Sequence, residues 1–172
     1  VVERPTGPDA FATQAWHFPP TPQYLTGTCW SFSATSFIES EIHRVKGVEI
    51  KLSEMWTAYW EFVNKARGVI ASRGESAYNH GSQTAALMRV FAEHGVVPRS
   101  DYEGVVTEDP RFNHDIMVDQ IRAFLAWCEE QNFWHEDIVV AMVRRILDET
   151  MDRPHETVVW DGVEMTPHKY LS

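Results

Sequence analysis

From Thr28 onward the apolar residues Trp30, Ala34, Phe37, Ile38, Ile42 and Val45 recur at helical spacing until Gly47 ends the run. That period limits the possible folds more than any other feature, because later segments repeat it. A second helix is expected after Ser53, an N-capping residue, with Met55, Trp56, Tyr59, Phe62, Val63 and Ala66 on one face. A loop rich in Gly, Ser and Asn leads to a third helix, from Thr84 to His94, stopped by Gly95. Two more helices are expected over about 113–131 and about 135–151. The segment "TVVWDGVEM" then reads as a β-hairpin, with Asp161-Gly162 suited to a tight turn of positive φ. The expected class is α+β, mainly helical, with a hairpin near the C-terminus. An isolated hairpin is marginal in water, so something outside these residues is expected to complete the sheet. Another helix is expected to begin in the final "TPHKYLS".

Residues 1–22 are proline-rich and aperiodic, as in an extended arm lying over a core, and 23–172 form the main body. The chain begins with Val1 rather than Met, as a processed or partial chain would, and shows neither a basic leader nor an apolar signal core. No run approaches the length of a membrane span. The formal net charge of −10, without a basic block, argues against nucleic acid or an anionic membrane as partner. Cys29 and Cys128 cannot build a disulfide framework and lack metal-site spacing, and no two histidines stand four apart on a helix. No metal or other cofactor is expected.

The placement of Cys29 carries the chemistry. A thiol attacks only as thiolate, and the first turn of a long helix surrounds it with unpaired backbone N–H groups and the positive end of the helix dipole. Gly27 would let a substrate backbone approach, and Trp30 would shield the site from water. Gln23, six residues upstream, is placed to donate to an oxyanion together with the Cys29 N–H.

The run Gln23 to Ser33, "QYLTGTCWSFS", resembles the nucleophile segment of papain-like cysteine peptidases, whose signature is C-G-[SA]-C-[WY]. "IKLSEMWTAYW" is similar to the Leu-Ser-Glu helix start of that family, and "NHGSQTAALMRVFAEHGVVPRSDYEG" to its cleft-lining region. Around Tyr59 and Trp60, and from 113 to the hairpin, the chain looks more like the bleomycin hydrolase and aminopeptidase C branch. The likeness is specific over 23–102 and weaker beyond.

The resemblance implies the mainly helical half of a papain-like cysteine proteinase fold and a thiol protease acting through a thioester. Cys29 would be the nucleophile and Gln23 the oxyanion donor, on a peptide or protein substrate. Gly27, Trp30, His80, Gly81 and Ser82 would line the cleft, with Gly81-Ser82 standing where many members have Gly-Gly. Thr26 replaces a cysteine common in the family, which leans towards a cytoplasmic location while leaving export open. The family's catalytic His and Asn lie in a β-rich half whose motifs this sequence lacks, so a C-terminal half or second chain is the expected partner. The resemblance also admits a homo-oligomer.

No histidine present is expected to serve as base. His43 lies about 21 Å along the helix from Cys29, and His94, His114 and His135 fall at or between helix ends. Two other readings stand beside the peptidase: a catalytically inactive peptide-binding or scaffold subunit, and a transglutaminase-like acyl transferase. Cys128 is expected to be a buried hydrophobe, Trp56, Trp60, Trp127, Met117 and Met142 to be core, and Glu39, Glu41 and Glu54 to be solvated faces or caps.

Overall fold

The computed structural model describes residues 6, 7, 14–107 and 111–172, so the expected N-terminal arm falls partly outside the described residues. The elements are α1 (Cys29–Lys46), α2 (Glu54–Ala71), α3 (Thr84–His94), α4 (Asp115–Glu130), α5 (Glu136–Met151), β1 (Val158–Trp160), β2 (Val163–Met165) and α6 (Pro167–Leu171). The chain is mostly helical with one small antiparallel hairpin, an α+β arrangement. Gly47 ends α1 in the left-handed conformation, its N–H donating to the His43 carbonyl.

The core is built around α2, which packs on α1, α3 and α5. Twelve of its 18 residues are buried, too many for one stripe, because neighbours cover it on several sides. Tyr59, Phe62, Val63 and Ala66 meet Val139, Val143, Leu147 and Met151 of α5 and Met117, Ile121 and Cys128 of α4. A smaller cluster of Ala34, Leu52, Leu87, Phe91 and Val96 ties α1 to α3. Phe37 and Val45, on the predicted apolar face of α1, stay 63% and 61% exposed, so one flank of that helix is open.

Ser53 starts α2 as expected. Its Oγ accepts from the Trp56 N–H at 3.0 Å and donates to the Tyr102 carbonyl at 2.7 Å, joining the helix start to the 97–104 segment. Ser53→Ala should therefore cost about 1–2 kcal/mol, read as a lower urea midpoint at unchanged slope. An unchanged midpoint would show the cap to be dispensable.

Several side chains depart from expectation. Trp56, Met117 and Cys128 are buried, but Trp127 and Met142 are 47% and 43% exposed. The buried stripe of α4 runs through Met117, Ile121, Leu125 and Cys128, and Trp127, about 100° round the helix from Cys128, stacks on Phe124 at the surface instead. Trp60 is only partly buried. Glu39 and Glu54, expected in solvent, are 1% and 2% exposed. Lys51 reaches both carboxylates, at 3.0 and 2.6 Å, and the Leu52 N–H donates to Glu39 at 2.8 Å, which makes their burial tolerable. Burial still holds the Glu39 carboxyl above its ordinary range. Glu41 is the outward one, paired with Arg44 at 2.7 Å.

The hairpin has the register Val158↔Met165, Val159↔Glu164 and Trp160↔Val163, with positive φ at both Asp161 and Gly162. It is moored by Asp101, whose carboxylate accepts from the Val159 N–H at 2.8 Å, and by Trp160 set edge-on to Tyr170. Among the described residues no third strand joins it. None of the helices there is long and apolar enough to cross a membrane.

Candidate active site

Cys29 is the first residue of α1 and is exposed. The Thr28 carbonyl accepts from the Ser31 and Phe32 N–H groups at 2.8 and 3.2 Å, so the N–H groups of Cys29 and Trp30 lie ahead of the intrahelical ladder. Thr28 does not cap the helix with its side chain; its hydroxyl pairs with that of Thr26 at 2.5 Å. Ser31, one turn in, donates to the Glu54 carbonyl at 2.8 Å and fixes the start of α1 against the start of α2. The helix end is thus rigidly placed with its thiol outward.

The preceding loop is closed by its own side chains. Gln23 Nε2 donates to the Thr26 carbonyl at 2.5 Å, and Thr26 Oγ1 donates back to the Gln23 carbonyl at 3.1 Å. One N–H of the amide expected to face an oxyanion is therefore engaged within the loop, and the second N–H of that NH2 group is left to donate elsewhere. Leu25 then locks the loop to the residues before α4: its N–H donates to the Phe112 carbonyl at 3.1 Å, and its carbonyl accepts from the His114 N–H at 3.0 Å.

Trp30 is 5% exposed and donates from Nε1 to the His80 carbonyl at 3.2 Å, pinning the 80s loop. A Cβ at position 27 would lie 3.0 Å from the His80 ring, so Gly27 makes room for that imidazole. Gly81 accepts from Lys65 Nζ through its carbonyl, and Ser82 Oγ donates to Glu61 on α2 at 2.7 Å, so the Ser82 hydroxyl is spoken for. The structure thus gathers Gln23, Gly27, Cys29, Trp30 and His80 around one loop, with Gly81 and Ser82 tied to α2 behind it.

Among the described residues no group hydrogen-bonds to the Cys29 thiol, and no cluster of three His, Cys, Asp or Glu is placed to hold a metal. His43 stacks on Trp16, with ring centroids 4.3 Å apart.

His114 is the residue that sequence reasoning missed. It is 1% exposed, sits edge-on to Phe62 and supports the nucleophile loop through its backbone N–H. No local pattern announces a contact across so much intervening sequence. Burial, with a smaller contribution from nearby His80, pushes its imidazole down to about 4. The folded protein then keeps this ring neutral where an unfolded chain, with a pKa near 6.5, would protonate it. Its contribution is complete above pH ~6.5 and is lost as pH falls towards ~4, up to about 3 kcal/mol. His114→Leu should flatten the fall in unfolding free energy over that window relative to the unsubstituted chain. Parallel profiles would remove His114 as the cause.

No protein-family model and no curated protein matches the sequence. In structure the chain is similar to PepW from Lactobacillus rhamnosis HN001, with a TM-score of 0.62 at 16% identity. The two share a fold. The alignment covers 93% of this chain and 45% of PepW, so the chain spans less than half the length of that neighbour. At this identity the likeness extends to the backbone course and not to the chemistry carried on it.

Proposed function

We propose that the chain is the helical half of a papain-like cysteine peptidase of the bleomycin hydrolase and aminopeptidase C branch, with Cys29 as nucleophile. The observation that carries the reading is the exposed thiol at the first position of an 18-residue helix, clamped to α2 through Ser31 and Glu54. A histidine beyond residues 1–172, on continuing chain or a second polypeptide, takes the Cys29 proton. The thiolate adds to the scissile carbonyl, and the Cys29 N–H with the second amide N–H of Gln23 holds the oxyanion. The C–N bond breaks as the histidine protonates the leaving amine; water then gives a proton to the histidine and adds to the thioester, the C–S bond breaks, and the acid product leaves as the Cys29 thiol is regenerated.

The test is hydrolysis of short peptide amides by the complete protein, run beside amine incorporation into a glutamine peptide. Hydrolysis without incorporation supports the peptidase, and incorporation as the main reaction replaces it with an acyl transferase. A non-catalytic peptide-binding subunit is the second reading. It is favoured by one observation, that among the described residues no group hydrogen-bonds to the Cys29 thiol, and it predicts neither reaction.

A further inference from the structure

A concave site of about 350 Å³ lies among α2, the end of α3, α5 and the start of α6. His94, in its wall, is ten residues along α3 from Thr84, about 15 Å at helical rise, so this is not the cysteine cleft. Its floor is aromatic: His94 stacks on Trp60 with ring centroids 3.8 Å apart, and the Arg144 guanidinium carbon lies 5.3 Å from the Trp60 ring. Pro154 and Pro167 add apolar walls.

The polar lining holds Arg144 and Arg153 together with three histidines, His94, His155 and His168, and the acids Glu93 and Glu156. Arg144 uses Nε on the Tyr59 hydroxyl at 3.2 Å, and Asp148, the nearby acid, is taken by that same hydroxyl at 2.6 Å. Among the described residues neither Arg144 nor Arg153 has a carboxylate within ion-pair distance. Two unpaired arginines lining one concavity are unusual in a chain of formal net charge −10. Trp60 Nε1, which can only donate, is shut off from water with no hydrogen-bond partner, and buried His94 Nε2 has none either, its nearest acid being Glu93 at 3.8 Å. Glu93 and Glu156 share the rim. Glu93 already accepts from Asn64 at 3.0 Å.

From this arrangement we infer a binding site for a small organic monocarboxylate with an apolar body. The guanidinium groups of Arg144 and Arg153 meet the carboxylate, and the proline and aromatic walls meet the body. The two rim carboxylates repel a second negative charge, which sets a monoanion above phosphate. The volume is several times that of an inorganic anion. The site is independent of the cysteine chemistry and stands whether or not the chain hydrolyses peptides.

The experiment follows the indole N–H signals of the full chain labelled with 15N-tryptophan, with Trp60→Phe assigning the reporter. N-acetylleucine, N-acetylleucine amide and inorganic phosphate are titrated separately. The acid should move the Trp60 signal saturably with a Kd of about 1 mM, at least tenfold tighter than either the amide or phosphate. Arg144 packs on Trp60, so its replacement risks the fold; Arg153 is exposed, and Arg153→Gln should weaken the acid at least tenfold while leaving the spectrum otherwise intact. No shift up to about 20 mM, equal affinity for acid and amide, equal affinity for acid and phosphate, or an unchanged Kd in Arg153→Gln would each overturn the assignment.

Discussion

Cys29→Ala is expected to lower kcat/KM for a short peptide amide by about four orders of magnitude or more in the complete protein. The size follows from the proposed role as nucleophile. Without the sulfur no thioester forms, and the remaining oxyanion donors can only assist attack by water. Because Cys29 is exposed and alanine is at home in a helix, the substitution should leave thermal unfolding within about 0.5 kcal/mol of the parent. Loss of turnover with retained stability separates a catalytic thiol from a structural one. Retained turnover would place the chemistry elsewhere.

The largest stability effect is expected at Gly95, which ends α3 with φ of 70° and ψ of −160°, a region open almost only to glycine. A Cβ there would overlap the Pro167 carbonyl carbon and the His168 nitrogen, both backbone atoms that cannot rotate away. The close approach matters because α6 is docked on this corner: the Val96 N–H donates to the Pro167 carbonyl at 3.2 Å, and Trp56 Nε1 donates to the Gly95 carbonyl at 3.1 Å. Gly95→Ala should therefore cost about 3 kcal/mol or more, a fall in Tm of roughly 10 °C for a chain of this size. Gly47→Ala is the control. Its φ of 68° is also positive, but the space around it is open, so it should cost only about 1–2 kcal/mol. Equal losses at the two glycines would show that backbone conformation alone, and not the contact with α6, governs the corner.

The helices were legible in the sequence because each carries an apolar period, and α1 and α3 carry a glycine stop as well. Ser53 caps α2, Gly47 and Gly95 close α1 and α3, and Asp161-Gly162 turns the hairpin, all as local chemistry predicts. Exposure of the thiol was legible only as far as the first turn of a helix exposes its donors. What could not be read is set by distant partners. Glu39 and Glu54 look like solvent-facing acids until Lys51 is folded between them. The fit of the His80 ring against Gly27 has no local signal in the sequence. Trp127 and Met142 fall within apolar helical runs, yet neighbouring residues take the buried stripes. Gln23 has the right spacing from Cys29, and only the loop's closure shows its amide bound to Thr26.

The most direct measurement treats the native protein with an epoxysuccinyl thiol probe and locates the adduct by peptide mass spectrometry. Cys29 and Cys128 form an internal comparison, one exposed at a helix start and the other fully buried with its thiol pushed up by burial. The account predicts rapid modification at Cys29, none at Cys128, and loss of peptide hydrolysis in step with the label. A folded protein that leaves Cys29 unmodified, or that hydrolyses peptides at full rate once Cys29 is labelled, would contradict it.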